Sequence, residues 1–310
     1  MDTGLSAPTA KVGEGFALET TGPAGRLLAR LRRTGLGYLA ALALLTFLAI
    51  LFLLPLYWML TGSFKAQIVT IKTPPELFPA HPTLVNWSSL FGSDLPVLRW
   101  LANSLIVAWG TTALTLLLSS LTGYSFGKKH FVGSRLLFWM MLATMMLPSQ
   151  VVLIPLFIAV RRLQLYNTYW GMILPLAASP FGVFLVKQFM ATIPNEIMDA
   201  ARMDGVSEWG MYWRIILPLS AAGLASLAIF TFSNAWNNFM WQLLMAGNLL
   251  MSTLPVGVSA MSRTAMGDRA IVDIGLLMAG GTFGAMPMIL FFLLFQRYFI
   301  KGITLGAVKG

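Results

Sequence analysis

The chain has 310 residues, of which 57% are hydrophobic and only 10% charged, with a mean hydropathy of +0.76. Soluble domains carry about 25% charged residues, so a water-soluble globule is excluded and a polytopic membrane protein is expected. The net charge of +10 comes with no basic–aromatic cluster, which argues against nucleic acid, and the absence of Cys removes disulfides, thiolate metal sites and Cys nucleophiles.

Residues 1–36 begin with a Gly- and Pro-containing stretch (Gly4, Pro8, Gly13, Gly15, Gly22, Pro23, Gly25) and are expected to form a disordered cytoplasmic arm. Uncharged runs then cover 34–64, 100–127, 136–160, 163–186, 215–262 and 274–296. Each is at least as long as the ~20 residues that a helix needs to cross ~30 Å of hydrocarbon. The first run is too long for the h-region of a signal peptide and follows a polar arm, so it is expected to remain as a span. Spans are placed at 37–63, 101–126, 136–160, 168–190, 219–245 and 274–298, making 37–300 a transmembrane domain of about six helices and 301–310 a cytoplasmic tail.

With both termini cytoplasmic, 14 of the 21 Lys and Arg lie inside, led by Arg26, Arg30, Arg32 and Arg33. That excess fits the positive-inside rule. A seven-span arrangement, splitting 215–262, would leave 13 inside, so charge alone barely separates the two. Gly247, Asn248, Ser252, Thr253, Pro255, Gly257 and Ser259 favour an external loop with a dipping segment over a seventh span. The other external loop, 65–99, is broken by Pro74, Pro75, Pro79 and Pro82. Pro148, Pro155, Pro175, Pro180 and Pro287 sit within spans, with Gly280 and Gly284 in a close-packing spacing; kinked helices around a polar path are the expected consequence.

Three amides, Asn234, Asn237 and Asn238, fall within five positions of one apolar span, beside Trp236 and Trp241. Amides facing lipid are costly, so these are read as the inner lining of a substrate path, with interhelical hydrogen bonding as the alternative. Between the fourth and fifth spans, Asn195 reads as an N-cap with Glu196 in the first turn, Gly205 as a left-handed helix end, and Ser207 as the cap of a second short helix that Pro218 ends. Met198, Ala201 and Met203 are expected to meet a groove on a partner protein.

The stretch Asp199-Ala200-Ala201, three residues, Gly205, nine residues, Ile215-x-Leu217-Pro218 resembles the EAA loop of ABC-importer permeases, with Asp199 where that family usually has Glu. Pro55-Leu56-Tyr57-Trp58, Asn103-Ser104, Leu147-Pro148-Ser149-Gln150, Asn167-Thr168-Tyr169-Trp170-Gly171 and Trp236-Asn237-Asn238-Phe239 are similar to carbohydrate-importer permeases, the group that includes the second permease of the maltose system. Gln242 stands where many of those relatives carry Pro.

The resemblance implies an all-α, type I importer-like permease in a bacterial or archaeal cytoplasmic membrane. Its expected partners are a second homologous permease, an ATPase homodimer and an extracytoplasmic solute-binding protein, within membrane lipid and without nucleic acid. Asp199, Ala200, Ala201, Gly205, Ile215, Leu217 and Pro218 would couple it to the ATPase, and Lys309 in the C-terminal tail would reach between the ATPase subunits. No G-x-x-x-x-G-K-[ST] occurs, so this chain is expected to bind no cofactor and to be no enzyme; ATP and Mg would sit on the ATPase. A sugar such as maltose or trehalose is the expected cargo, with a glycerol phosphodiester or polyamine as alternatives. A secondary transporter would need charged groups within its spans, and the six uncharged runs hold none. A structural subunit, with the path mainly in the partner permease, is the other alternative.

Overall fold

A computed structural model describes residues 35–66, 76–92, 94–264 and 273–307. The arm before residue 35, and Lys309 with its expected ATPase contact, lie outside the described residues. Every regular element among the described residues is helical. The chain divides into a unit ending at Tyr57 and a second from Trp58 to Gly310.

Within the first unit, the described chain is the bulk of α1 (Gly35–Gly62), a helix without acidic or basic residues in its end turns. Leu45, Phe47, Phe52 and Leu53 along it are all more than half exposed, a surface stable only against lipid or another apolar chain.

In the second unit, α2 (Val85–Gly92) precedes α3 (Val97–Lys128), the central helix. α3 packs against both halves of a broken helix, α6 (Tyr169–Ala177) and α7 (Pro180–Ala191), and against α10 (Ala221–Asn237). Its buried face is largely polar: Asn103, Ser104, Thr111, Thr112, Thr115, Ser119 and Ser120. Such a stripe survives in an apolar setting by bonding to backbone, as Thr115 Oγ1 does to the Ala177 carbonyl at 3.2 Å.

Among the described residues, three helices are long and apolar enough to cross a membrane unaided: Gly37–Gly62, Val97–Lys128 and Ile274–Gln296. The other three expected spans are bent pairs rather than kinked rods. α4 (Ser134–Thr144) and α5 (Ser149–Arg162) meet at 101°, because Pro148 holds extended backbone with ψ 128° immediately before α5. α6 and α7 differ by 48°. There Ser179 caps α7 by accepting the Gly182 N–H at 3.0 Å, and Pro180, lacking an N–H, opens the new helix at no hydrogen-bond cost. α9 (Glu208–Leu219) turns 75° into α10. The span expected at 219–245 is itself divided, since α10 ends at Asn237 and α11 runs Met240–Met245.

Segment 246–262 is more ordered than a turn-rich loop. After a short 3-10 turn at Leu249–Met251, helix α12 (Leu254–Thr264) packs on α13 (Ile274–Ala307). The segment is pinned to the start of α3. Trp100 Nε1 donates to the Leu249 carbonyl at 2.6 Å, Asn103 Nδ2 to those of Leu250 and Ser252, and Leu254 N–H to Ser104 Oγ at 2.7 Å. A Cβ on Gly257 would lie 2.2 Å from the Trp100 ring, so only Gly permits this approach. Gly280 faces Val258 and Met261, and Gly284 faces Leu254, so the small residues of α13 serve its packing on α12. In the segment expected as a cytoplasmic tail, 301–310, α13 continues as helix to Ala307.

Candidate functional site

Helix α8 (Asn195–Met203) is amphipathic: Met198 and Ala201 are buried, whereas Asp199, Ala200 and Met203 are exposed. The expected partner-facing set is therefore split. Met198 and Ala201 join the chain's own core with Tyr124, Val186, Met190 and Tyr212, leaving Met203, 88% exposed, to face outward. Asn195 is not the N-cap, since Pro194 occupies that position; the Asn195 Oδ1 instead accepts Lys128 Nζ at 3.1 Å.

The reversal after α8 follows from Gly205, whose φ of +74° is costly for residues with a Cβ. The N–H groups of Asp204, Gly205 and Val206 return to the carbonyls of Ala200, Arg202 and Ala201, closing the helix end. Ser207 then caps α9, its Oγ accepting the Gly210 N–H at 3.2 Å. Residues Met211–Ile216 are π-helical, and Met211, Tyr212 and Ile216 in that stretch are all buried. Pro218 does not end α9, which runs to Leu219; the break falls at Ser220. Ile215 and Leu217 are partly buried against the same core, and Pro218 is exposed.

This loop is bolted to the far end of α3. The Ser120 and Tyr212 hydroxyls share a buried hydrogen bond of 2.6 Å. Tyr124 donates to Glu208 Oε2 at 3.2 Å, and Lys129 pairs with the same carboxylate. Glu208 stands in the first turn of α9, ahead of the span expected at 219–245, and hydrogen bonding from Lys129 holds its carboxyl below the usual range, so it stays ionised at neutral pH. Arg202 reaches 2.8 Å to Asp199 and 3.8 Å to Glu208, while Lys128 donates to the Ile193 carbonyl. Asp199, expected to pair with an ATPase, already has a partner in its own helix. Trp209 and Trp213 are at least half exposed and border an open hollow around Asp204–Gly210.

The residues expected to line a path fall on different faces. Trp236 is buried, stacked on Phe232, and Trp241 is buried with its Nε1 donating to the Gly171 carbonyl at 3.2 Å. Both belong to packing. Asn237 is exposed and donates to the Ser233 carbonyl at 2.9 Å. Asn234 and Asn238, one turn apart, line a recess of about 150 Å³ with Thr111, Ser179, Phe181, Phe230 and Thr231. The hydroxyls were not singled out in the sequence; the only signal was their place on α3 and at the Pro180 break. Gln242 is fully buried, with its Nε2 3.5 Å from the Met172 carbonyl, and α11 runs unbroken through it. No His/Cys/Asp/Glu group suited to a metal occurs among the described residues.

Among the described residues, three rods and three bent pairs are long and apolar enough to fit the class of multi-pass membrane proteins. Residues 117–305 match the family described as binding-protein-dependent transport system inner membrane component, and the chain belongs to that family. It is 36% identical over 265 residues to the arabinooligosaccharides transport system permease protein AraQ of Bacillus subtilis (strain 168), covering 85% of this chain and 92% of that one. It is 31% identical to the sn-glycerol-3-phosphate transport system permease protein UgpE of Yersinia pestis bv. Antiqua (strain Antiqua), covering 82% and 92%. In fold it is similar, with a TM-score of 0.75 over 90% of this chain and 98% of the other at 18% identity, to a bacterial ABC transporter involved in the import of the acidic polysaccharide alginate. The type I importer fold expected from the sequence is thus found, and the homologues are permease subunits rather than enzymes.

Proposed function

We propose that this chain is the oligosaccharide-conducting permease subunit of an ATP-driven importer, coupled to its ATPase through residues 195–215. The observation that carries the reading is the way α8 and α9 are fastened to the end of α3 by Ser120–Tyr212, Tyr124–Glu208 and Lys129–Glu208. A push on the loop is thereby passed to the helix at the centre of the bundle, which also borders the recess holding Asn234 and Asn238. The similarity to the arabinooligosaccharide permease supports a neutral oligosaccharide as cargo, whether pentose-based or an α-glucoside such as maltose or trehalose.

The remaining partners are a second permease, two ATPase copies holding ATP and Mg, and an extracytoplasmic binding protein that delivers the sugar. Both termini lie on the ATPase side of a bacterial or archaeal cytoplasmic membrane, with Lys309 near the ATPase. ATP-driven closure of the ATPase pair moves the loop, and the spans rock between inward- and outward-facing arrangements. The test is uptake by proteoliposomes carrying the whole complex. Accumulation of arabinotriose or maltotriose should require enclosed ATP and the external binding protein, and should ignore a protonophore. Uptake driven by an ion gradient without ATP would refute the reading.

A further inference from the structure

We propose that the recess where α3, the α6–α7 break and α10 meet is a saccharide subsite that holds one sugar ring by its hydroxyls. This rests on the importer reading above and adds to it the place, the size and the chemistry of the contact. The first observation is Thr111. It is 1% exposed, yet its Oγ1 has no hydrogen-bond partner among the described residues. Thr112 on the same helix bonds back to the Ala108 carbonyl at 2.7 Å, Ser120 to that of Leu117 and Ser125 to that of Leu121; Ser119 Oγ is also unpartnered but does not border the recess. Back-bonding is the ordinary way for a helical hydroxyl to be satisfied in apolar surroundings, and an orphan there is costly. Thr111 forgoes it and borders the recess.

The other lining groups complete a set that fits a polyol. Ser179 Oγ accepts the Gly182 N–H at 3.0 Å, leaving its own hydrogen to donate. Asn238 Oδ1 accepts the Trp241 N–H at 3.2 Å, which leaves its NH₂ for a ligand, and Asn234 brings both a donor and an acceptor. Pro180 has no N–H to return to the Leu176 carbonyl, and Leu176 is also on the wall. Donors and acceptors are mixed, as a sugar hydroxyl requires, and no lining residue is charged, which disfavours a phosphate or a polycation. Phe181 and Phe230, with ring centroids 4.9 Å apart, add an aromatic wall for the C–H face of a ring. The recess of about 150 Å³ has room for roughly five waters, the size of one ring and not of an oligomer. A chain of sugars would pass it one unit at a time.

The test replaces Thr111 by Val, which has the same shape without the hydroxyl, and by Ser, which keeps it. In the complete complex in proteoliposomes, uptake is measured for arabinotriose, maltotriose and trehalose, and melting of the purified complex is followed in parallel. Removing an orphan hydroxyl should leave melting unchanged or raise it. Thr111→Val should nevertheless slow uptake about tenfold, the effect of losing one hydrogen bond in a dry site, while Thr111→Ser stays within about twofold of the wild type. Wild-type uptake in Thr111→Val, or slow uptake accompanied by a lowered melting temperature, would overturn the subsite and leave the importer reading standing. A wild-type complex that moves none of the three sugars would overturn both.

Discussion

Gly205→Val isolates the geometry of the loop from its contacts. A Cβ built on Gly205 meets nothing within 4 Å, so the added Cβ itself introduces no clash. The whole cost lies in the backbone, where φ is +74°. Left-handed conformation costs about 1–2 kcal/mol for an ordinary L-residue and more for a β-branched one, up to about 3 kcal/mol. At about 2 kcal/mol, the population with α9 correctly aimed falls roughly 30-fold relative to alternatives. Gly205 lies ahead of the span expected at 219–245, so membrane insertion should be normal. Retention of the ATPase on detergent extraction, and ATP hydrolysis stimulated by the loaded binding protein, should both fall. Gly205→Asn is the control, because Asn tolerates this conformation, and it should behave nearly as wild type. Equal behaviour of Val and wild type, or equal damage from Asn and Val, would refute the reasoning.

Tyr212→Phe removes the buried hydroxyl that meets Ser120 at 2.6 Å, while Ser120 keeps its bond to the Leu117 carbonyl. It should destabilise by about 1 kcal/mol and speed amide hydrogen exchange over 207–216, read by mass spectrometry; unchanged exchange there would remove the bolt from the account. Gly257→Ala would place a methyl 2.2 Å from the Trp100 ring, a contact that backbone or ring must relieve at about 1–3 kcal/mol. A lowered melting temperature is expected, and an unchanged one would show that α12 is not held as tightly as described.

What could be read in advance was local. The turn at Gly205 and the cap at Ser207 depend on residues within four positions, and both are found where the sequence placed them. The candidate spans were legible from uncharged runs, because hydrocarbon thickness sets a length, and three rods and three bent pairs fall on those runs among the described residues. Direction was not: Pro148 marks a helix break equally for a 20° kink and for the 101° bend that occurs, and the neighbouring helices decide. The faces of side chains failed for the same reason. The pattern of α8 shows that Met198 and Ala201 share an apolar face, but not that Tyr124 and Tyr212 of the same chain cover it. Asn195 lost its capping role to a lysine 67 positions away. Trp236 and Trp241 look like sugar platforms beside three amides, yet Phe232 and the Gly171 carbonyl claim them. Thr111 was invisible, since a threonine in an apolar helix gains meaning only when its partner is missing.

The central claim is that the loop between α7 and α10 is the surface on which the ATPase acts. The chain contains no Cys, so one introduced residue is a unique handle. Met203, 88% exposed at the end of α8, is the position to change, and Asp94, before the opposite end of α3, is the control. Each single Cys variant of the complete complex is labelled with a photo-crosslinking maleimide, irradiated, and the products identified by mass spectrometry. Met203→Cys should yield a permease–ATPase product whose amount changes when ATP is bound, and Asp94→Cys should yield none. A Met203→Cys product lacking the ATPase, or an equal ATPase product from Asp94→Cys, would contradict the account.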